Sequence, residues 1–183
     1  MTSAASVSGD ERIRLFLALR LPDGVLDATE RWQQEQLRDV RVVRREHLHV
    51  TLAFLGHRPA AELEAVVAVL REAAAETGEI RLTPVRYRET RSVGMVVLDD
   101  EGGRATALAD DLQKQLEKLG VYRREGRPWL PHLTVARFRQ RPRLRLDPPR
   151  VGTFVPSDAA AYLSRLRPRG AVYEVLESVV LGG

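Results

Sequence analysis

Two kinds of hydrophobic spacing alternate along the chain and divide it into predicted strands and helices. Residues 12–21 place an aliphatic side chain at every second position, which is typical of a β-strand. Residues 59–78 instead repeat aliphatic side chains at intervals of three and four, which predicts a helix. By these criteria the predicted helices are 25–38, 59–78 and 103–119, and the predicted strands are 12–21, 40–43, 46–55, 79–87, 92–98, 131–138, 151–155, 161–166 and 171–181.

Each half of the chain contains a strand, a helix and a second strand that carries a histidine, which resembles a duplication. Strands and helices that are interspersed, with a hairpin turn predicted over 167–170, favour an α+β body over a Rossmann sheet. The sequence contains no Gly-rich phosphate loop. We therefore predict a disordered tail over residues 1–11, which are rich in Ser and Ala, followed by a single domain over 12–183.

The composition excludes several classes of protein. With 183 residues, 44% of them hydrophobic and 30% charged, the chain is long enough and apolar enough to fold into one domain. The absence of cysteine excludes disulfides, thiolate zinc sites, iron–sulfur clusters and a cysteine nucleophile. The longest apolar runs are too short to span a bilayer, and the first eleven residues lack the features of a secretory signal. We expect a soluble cytoplasmic protein without a membrane partner.

The basic residues are almost all arginine. Lys and Arg together number 29 against 25 Asp and Glu, which gives a net charge of +4, and only Lys114 and Lys118 are lysines. Arginine makes planar, bidentate contacts with phosphate, although a GC-rich genome also enriches arginine. The charge therefore allows a phosphate-bearing partner without requiring one. Nothing in the sequence indicates an obligate oligomer, and we expect a monomer.

A pattern of histidine, an apolar residue, threonine and an apolar residue occurs twice. It spans 49–52 (His-Val-Thr-Leu) and 132–135 (His-Leu-Thr-Val), and the two histidines are 83 residues apart. Residues i and i+2 of a strand point to the same face, so each histidine is expected to project together with its threonine while the apolar residues enter the core. Two such strands facing each other across a groove would present two imidazoles and two hydroxyls to one small anion.

This set of side chains suits hydrolysis or transfer at a phosphodiester. One group must take a proton from the attacking oxygen and another must protonate the leaving oxygen, and two histidines can divide these roles near neutral pH. Threonine hydroxyls can donate hydrogen bonds to the non-bridging phosphoryl oxygens, where charge accumulates in the transition state. We therefore predict His49 and His132 as catalytic residues and Thr51 and Thr134 as phosphate ligands, with no metal or cofactor required.

The two motifs and their surroundings resemble the 2H phosphoesterase superfamily, in particular its RNA 2′,3′-cyclic phosphodiesterase branch, the LigT or 2′-5′ RNA ligase family. The similar segments are 14–22 (RLFLALRLP), 48–56 (LHVTLAFLG), 131–137 (PHLTVAR) and 173–181 (YEVLESVVL). The resemblance covers nearly all of the chain from about residue 12. It implies an α+β fold of two pseudo-symmetric lobes, with antiparallel sheets that flank a central groove and helices on the outside.

The resemblance also implies a reaction, which is the metal-independent opening of a 2′,3′-cyclic phosphate at an RNA 3′ end to a 2′-phosphomonoester. One histidine activates water and the other protonates the departing 3′-oxygen. We assign His132 as the base and His49 as the acid, although the sequence barely separates this assignment from its reverse. The same pair would serve the joining of RNA ends through a 2′-5′ linkage.

Three further residues are candidates for substrate binding. Arg45 lies shortly before the first motif and could contact the RNA backbone, and Trp129 lies in a basic loop three residues before His132 and could stack on a terminal base. Arg137 ends the second motif. Strict alternation from His132 places Arg137 on the core-facing side of its strand, where it either pairs with a carboxylate or contacts phosphate.

Three alternatives stay open from the sequence. His47, His49 and His132 could form the three-histidine zinc site of a metallohydrolase, although zinc would not need the duplicated threonines. The protein could instead be an RNA-end-binding module without catalytic activity. It could also be a phosphodiesterase of the same superfamily that acts on a cyclic nucleotide, ADP-ribose 1″,2″-cyclic phosphate or a 2′-5′ oligonucleotide.

Overall fold

The computed structural model describes residues 11–182 and contains two four-stranded antiparallel sheets and three α-helices in that range. The strands are β1 (Arg12–Arg20), β2 (Arg41–Val42), β3 (Val50–Pro59), β4 (Arg81–Glu89), β5 (Val93–Glu101), β6 (His132–Arg137), β7 (Asp158–Arg167) and β8 (Gly170–Val179). The helices are α1 (Asp23–Gln36), α2 (Leu63–Glu76) and α3 (Arg104–Lys118). The predicted α+β fold class is confirmed.

The sheets are built around two copies of one strand–helix–strand unit. The first unit is β1–α1–β3 and the second is β5–α3–β6, and in each unit the two strands are antiparallel neighbours. The first sheet has the strand order β3-β1-β7-β8 and the second has the order β2-β6-β5-β4. Strands β3 and β6 contact each other where the sheets meet. This arrangement confirms the predicted pair of pseudo-symmetric lobes and brings the two motif strands to the centre of the molecule.

A continuous hydrophobic core joins both sheets and all three helices. Helix α3 buries Leu108, Leu112 and Leu116 in this core because these residues recur every four positions on one side of the helix. The core also contains Leu17 from β1 and Leu133 from β6, neither of which has exposed surface. Each fully buried leucine stabilises the fold by roughly 2 kcal/mol through the removal of apolar surface from water. The core therefore fixes the two motif strands relative to each other.

Two predicted boundaries are wrong around the first motif. Residues 45–47 form a 3₁₀ turn instead of a strand, and β3 begins at Val50. The strand also continues past Gly56 to Pro59. Gly56 does not end the strand because its left-handed φ of 70° belongs to a β-bulge in the pairing with β1 rather than to a chain reversal.

The strand predicted over 151–155 is also wrong. Only Phe154 pairs, through two backbone hydrogen bonds of 2.9 Å with Leu82. Gly152 has a left-handed φ of 67°, which interrupts extended backbone. Pro156 lacks the N–H group that a longer ladder would need.

The tail predicted over residues 1–11 lies outside the described residues except for Glu11. The carbonyl oxygen of Glu11 accepts a 2.8 Å hydrogen bond from the backbone N–H of Ala60. Between residues 11 and 182, no helix has the length and apolar character needed to cross a membrane.

Candidate active site

The predicted facing of the two motifs agrees with their burial. His49, directly before β3, and Thr51, within it, are half-buried, and His132 and Thr134 are half-buried at the start of β6. The apolar residues next to them are buried in the core. This is the expected result for strands that place one face on a hydrophobic core. Each motif therefore presents one imidazole and one hydroxyl on the same side.

The two histidine rings make the same backbone contact. Nδ1 of His49 lies 2.7 Å from the carbonyl oxygen of His47, and Nδ1 of His132 lies 2.7 Å from the carbonyl oxygen of Leu130. Since a carbonyl oxygen can only accept, each Nδ1 carries a proton and donates it. In a neutral ring Nε2 is then unprotonated, and Nε2 of His49 accepts from the Thr51 hydroxyl at 3.0 Å. In both rings Nε2 is the atom that can take up or release a proton.

The surroundings of His49 keep its ring neutral at neutral pH. The ring packs against Phe16, with 4.9 Å between the ring centroids. Burial lowers the pKa of His49 to about 4, and repulsion from positive charge on His47, His132 and Arg137 acts in the same direction. A neutral ring can accept a proton. The electrostatics therefore favour His49 as the base, which is the reverse of the assignment made from the sequence.

His49, Thr51 and Thr134 line a cavity of about 1200 Å³, which we call the groove. Residues from both sheets form its walls, together with the turn between β7 and β8. His132 is not among the lining residues, but it lies near enough to His49 for its charge to lower the pKa of that ring. The groove thus brings three of the four predicted motif side chains to one surface.

The groove is strongly basic. Six arginines line it: Arg14, Arg41, Arg44, Arg137, Arg167 and Arg169. Within residues 11–182, Arg44 is the one member of this set that forms a salt bridge, at 3.9 Å to the exposed Glu46. A concave surface lined by uncompensated positive charge attracts anions.

Arg137 reaches the groove, although the sequence pattern places it on the core face. In the pairing of β5 with β6, Thr134 and Ala136 have partners but Val135 between them has none, so Val135 is the extra residue of a β-bulge. A bulge interrupts the alternation of faces. Val135 and Ala136 are consequently both buried, and Arg137 is exposed on the side of Thr134. The core-face prediction is therefore wrong, and the observed position favours contact with an anion.

Arg45 and Trp129 are not among the residues that line the groove. The Arg45 guanidinium forms salt bridges with Asp23, at 3.0 Å, and with Asp27, and both carboxylates belong to α1. The indole Nε1 of Trp129 donates to the carbonyl oxygen of Thr51 over 3.0 Å. The Arg45 salt bridges attach the segment before the His49 motif to α1, and the Trp129 bond attaches the loop before the His132 motif to β3. The substrate contacts expected of these two side chains stay predictions.

An aromatic cluster beside the first motif gave no signal in the sequence. Phe16 is buried and stacks on Tyr162 with 4.8 Å between ring centroids. Tyr173 on β8 lies 4.9 Å from Phe16 and 4.3 Å from His47, measured between ring centroids. Both tyrosines come from the C-terminal hairpin, and only the strand order β3-β1-β7-β8 brings that hairpin to the first motif.

The alternative three-histidine zinc site is not assembled. The His47 ring packs on Tyr173, and the Nδ1 atoms of His49 and His132 are directed at backbone carbonyls. In the part of the chain that the structure describes, no group of three or more His, Cys, Asp or Glu side chains could hold a metal ion.

The chain matches curated relatives along almost its whole length. The model of the 2′-5′ RNA ligase superfamily matches residues 21–171. The RNA 2′,3′-cyclic phosphodiesterase of Thermus thermophilus is 34% identical, over 93% of this chain and 91% of that protein. The RNA 2′,3′-cyclic phosphodiesterase of Methanothermobacter thermautotrophicus is 30% identical, over 91% of this chain and 97% of that protein.

Solved structures share the fold. A crystal structure of a Thermus thermophilus protein superposes with a TM-score of 0.79 at 32% identity, covering 93% of this chain and 99% of that one. E. coli LigT in complex with 3′-AMP superposes with a TM-score of 0.81 at 22% identity, covering 94% of this chain and 100% of that one. The chain belongs to the 2′-5′ RNA ligase superfamily, and the resemblance of its paired His-x-Thr motifs to the 2H phosphoesterases is confirmed.

Proposed function

We propose that this protein hydrolyses 2′,3′-cyclic phosphate ends of RNA to 2′-phosphomonoesters, with His49 and His132 as the proton-transfer pair. The observation that carries the proposal is the matched pair of rings, each donating from Nδ1 to a backbone carbonyl at 2.7 Å and leaving Nε2 available. Two relatives that are 34% and 30% identical are RNA 2′,3′-cyclic phosphodiesterases. Their similarity extends over the whole motif region.

In the proposed reaction a water molecule attacks the phosphorus of the cyclic ester. Nε2 of neutral His49 takes a proton from that water as the new oxygen–phosphorus bond forms. The bond between phosphorus and the 3′-oxygen breaks, and protonated Nε2 of His132 gives its proton to the departing 3′-oxygen. The phosphate stays on the 2′-oxygen. The low pKa of His49 supports this division of roles, because the base must be unprotonated before the substrate arrives.

The hydroxyls and one arginine have roles around the same phosphorus. The Thr51 hydroxyl, which donates to His49 in the free protein, turns to a non-bridging phosphoryl oxygen when substrate binds. Thr134 occupies the matching position in the second motif and donates to the other non-bridging oxygen. Arg137, placed on the groove side by the bulge, neutralises the charge of the phosphate.

The size and charge of the groove favour an RNA end over a free cyclic nucleotide. Its volume of about 1200 Å³ exceeds the ~300–1,000 Å³ of pockets that enclose a single small molecule. A second cavity of about 680 Å³ adjoins it and shares Val40, Arg41 and Arg137 with it. Together they offer a basic path for the nucleotides that precede the cyclic end. With an RNA 5′-hydroxyl in place of water, the same steps would join two RNA ends through a 2′-5′ linkage.

The proposal is tested with His49→Ala and His132→Ala, each assayed with EDTA on an oligoribonucleotide that ends in a 2′,3′-cyclic phosphate. We expect each variant to lose at least ~100-fold in kcat, since each removes one proton-transfer group. The matched control is His57→Ala, because His57 is an exposed histidine on β3, the strand that directly follows His49. Near wild-type turnover by either motif variant would exclude the two-histidine mechanism. Binding of the RNA end by the wild-type protein without turnover would establish the binding-module alternative instead.

A further inference from the structure

Two glutamines outside the groove are buried beside the motif strands. Gln33 on α1 is 2% exposed and Gln113 on α3 is 7% exposed. The side-chain amide of Gln113 donates to the carbonyl oxygen of Leu52 over 2.8 Å. The amide of Gln33 donates to the carbonyl oxygen of Val135 over 2.8 Å and to that of Val43 over 2.9 Å. Each amide therefore bonds to the backbone of a motif strand, and the Gln33 amide also bonds to Val43, which follows β2.

Two of the three carbonyls that receive these bonds, those of Leu52 and Val135, belong to β-bulges. Val135 is the unpaired residue between β5 and β6. Leu52 is its counterpart between β1 and β3, because Thr51 and Ala53 have partners on β1 and Leu52 has none. Leu52 and Val135 each lie three residues after a motif histidine. The two glutamines thus contact equivalent positions, one in each motif.

The contacts also cross between the two strand–helix–strand units. Gln33 belongs to the unit of the first histidine but bonds to the strand of the second, and Gln113 does the reverse. Gln113 follows Gln33 by 80 residues, close to the 83 residues that separate His49 from His132. The two glutamines are therefore related by the same pseudo-symmetry as the histidines.

The bulges decide which side chains face the groove. The bulge at Leu52 lets Thr51 and Phe54, three residues apart, both line the groove, and the bulge at Val135 does the same for Thr134 and Arg137. In a strand without a bulge these pairs would point to opposite faces. Bulged carbonyls in the core need hydrogen-bond donors. The carbonyl of Leu52 accepts from the Gln113 amide, and the carbonyl of Val135 accepts both from the Gln33 amide and, at 2.9 Å, from the backbone N–H of Val43.

We propose that Gln33 and Gln113 are positioning residues, each of which holds the bulge of the opposite unit and so sets the geometry of that unit's histidine, threonine and groove-facing residue. Gln113 positions the His49 motif and Gln33 positions the His132 motif. The inference rests on the proposed function for its kinetic consequences, but the positioning itself has a spectroscopic readout that does not depend on activity.

The test replaces each glutamine with methionine, which has a similar length and no donor. We expect Gln33→Met and Gln113→Met each to lower kcat by 10- to 100-fold on the oligoribonucleotide 2′,3′-cyclic phosphate, with KM within threefold, because a small displacement of a catalytic group affects the chemical step. Control variants remove buried groups from the same helices without touching a motif strand. Thr29→Val deletes a hydroxyl bonded to Val25 within α1, and Leu116→Ala truncates a core leucine of α3.

Histidine-ring ¹H–¹⁵N spectra supply the second readout. We expect Gln113→Met to shift the ring resonances of His49 while those of His132 stay in place, and Gln33→Met to give the opposite pattern. Gln113→Asn, which keeps the amide but withdraws it by one methylene, should resemble Gln113→Met. If a methionine variant does not fold, its asparagine variant provides both measurements.

Two results would overturn the inference. One is wild-type kcat and unshifted histidine resonances in both glutamine variants. The other is a loss of kcat no larger than in Thr29→Val and Leu116→Ala. If His49→Ala and His132→Ala are inactive while the glutamine variants are fully active, this inference fails and the proposed function stands. If the histidine variants stay active, the proposed function fails, and the crossed pattern of ring shifts still decides the positioning.

Discussion

The indole N–H of Trp129 donates a 3.0 Å hydrogen bond to the carbonyl oxygen of Thr51, and this bond joins the loop before the second motif to the first motif. Trp129 lies three residues before His132, and Thr51 lies two residues after His49. Strand β3 is at the edge of its sheet, so side chains from the other half of the chain satisfy part of its backbone. The distance between the two histidines therefore depends on contacts that no strand pairing provides.

Trp129→Phe separates a structural role of this ring from stacking on a base. We expect the free energy of unfolding to fall by about 1–2 kcal/mol, because the Thr51 carbonyl loses its donor while the ring is kept. We expect kcat to fall and KM for RNA to stay within twofold. The control is Trp32→Phe, which removes an equivalent indole bond to Asp147 away from the groove. Unchanged stability together with unchanged kinetics in Trp129→Phe would instead favour a stacking role.

The pH dependence of kcat/KM tests the low pKa of His49 in the free enzyme. Burial lowers the pKa of His49 to about 4, and a base must lose its proton before it can act. With His49 as the base, kcat/KM should rise with pH through about 4. A profile with no ascending limb near pH 4 would contradict a catalytic role for a histidine with this pKa. The measurement is kcat/KM from pH 3.5 to 9, with the titration of His49 followed by NMR.

The same pKa shift makes stability depend on pH. The pKa of His49 is lower in the folded protein than the 6.5 of the unfolded chain, so between those values the unfolded state binds the extra proton. The free energy of unfolding should therefore be fully retained above about pH 6.5 and should fall as the pH is lowered towards 4. Urea titrations of the wild type and of His49→Gln test this. A slope with pH that is equal in the two proteins would contradict it.

The sequence predicted the direction of the motif side chains because strand alternation is a local property. His49 and Thr51 share a face on the basis of their spacing alone, and the structure agrees. Arg137 was placed on the wrong face because alternation ends at the bulge at Val135. A bulge depends on the register with a partner strand that is distant in the sequence. It therefore cannot be predicted from the spacing of residues within one strand.

The surroundings of the catalytic candidates were unpredictable for a related reason. Phe16 and Leu17 are both buried apolar residues of β1, but Leu17 belongs to the main hydrophobic core whereas the Phe16 ring packs against His49. Tyr162 and Tyr173 reach the site through a hairpin more than a hundred residues after the first motif. The low pKa of His49 arises from this environment. The chemical type of the site was thus predictable from the sequence. The assignment of acid and base roles depends on the residues that pack around His49, and these are distant in the sequence.

The two threonine hydroxyls are expected to act on the transition state. Thr51→Val and Thr134→Val keep the branched shape and remove the donor, so we expect kcat to fall by ~10²- to 10³-fold for each, as for other lost oxyanion donors. Thr51→Ser and Thr134→Ser keep the hydroxyl and should recover most of the rate. The measurement is kcat and KM on the cyclic-phosphate RNA. If the valine variants raise KM but leave kcat unchanged, the hydroxyls bind the ground state only.

Arg41 is expected to make the enzyme prefer longer RNA ends. Its side chain lines both the groove and the adjoining cavity, where it can contact a phosphate upstream of the cyclic end. Arg41→Gln should lower kcat/KM several-fold for a hexanucleotide substrate and weaken its dependence on salt, because one phosphate contact is lost. It should leave kcat/KM for a mononucleotide 2′,3′-cyclic phosphate nearly unchanged. The control is Arg88→Gln, which removes one exposed charge from β4. Equal losses on both substrates would place Arg41 at the reacting phosphate, and no loss on either would show that RNA follows a different path.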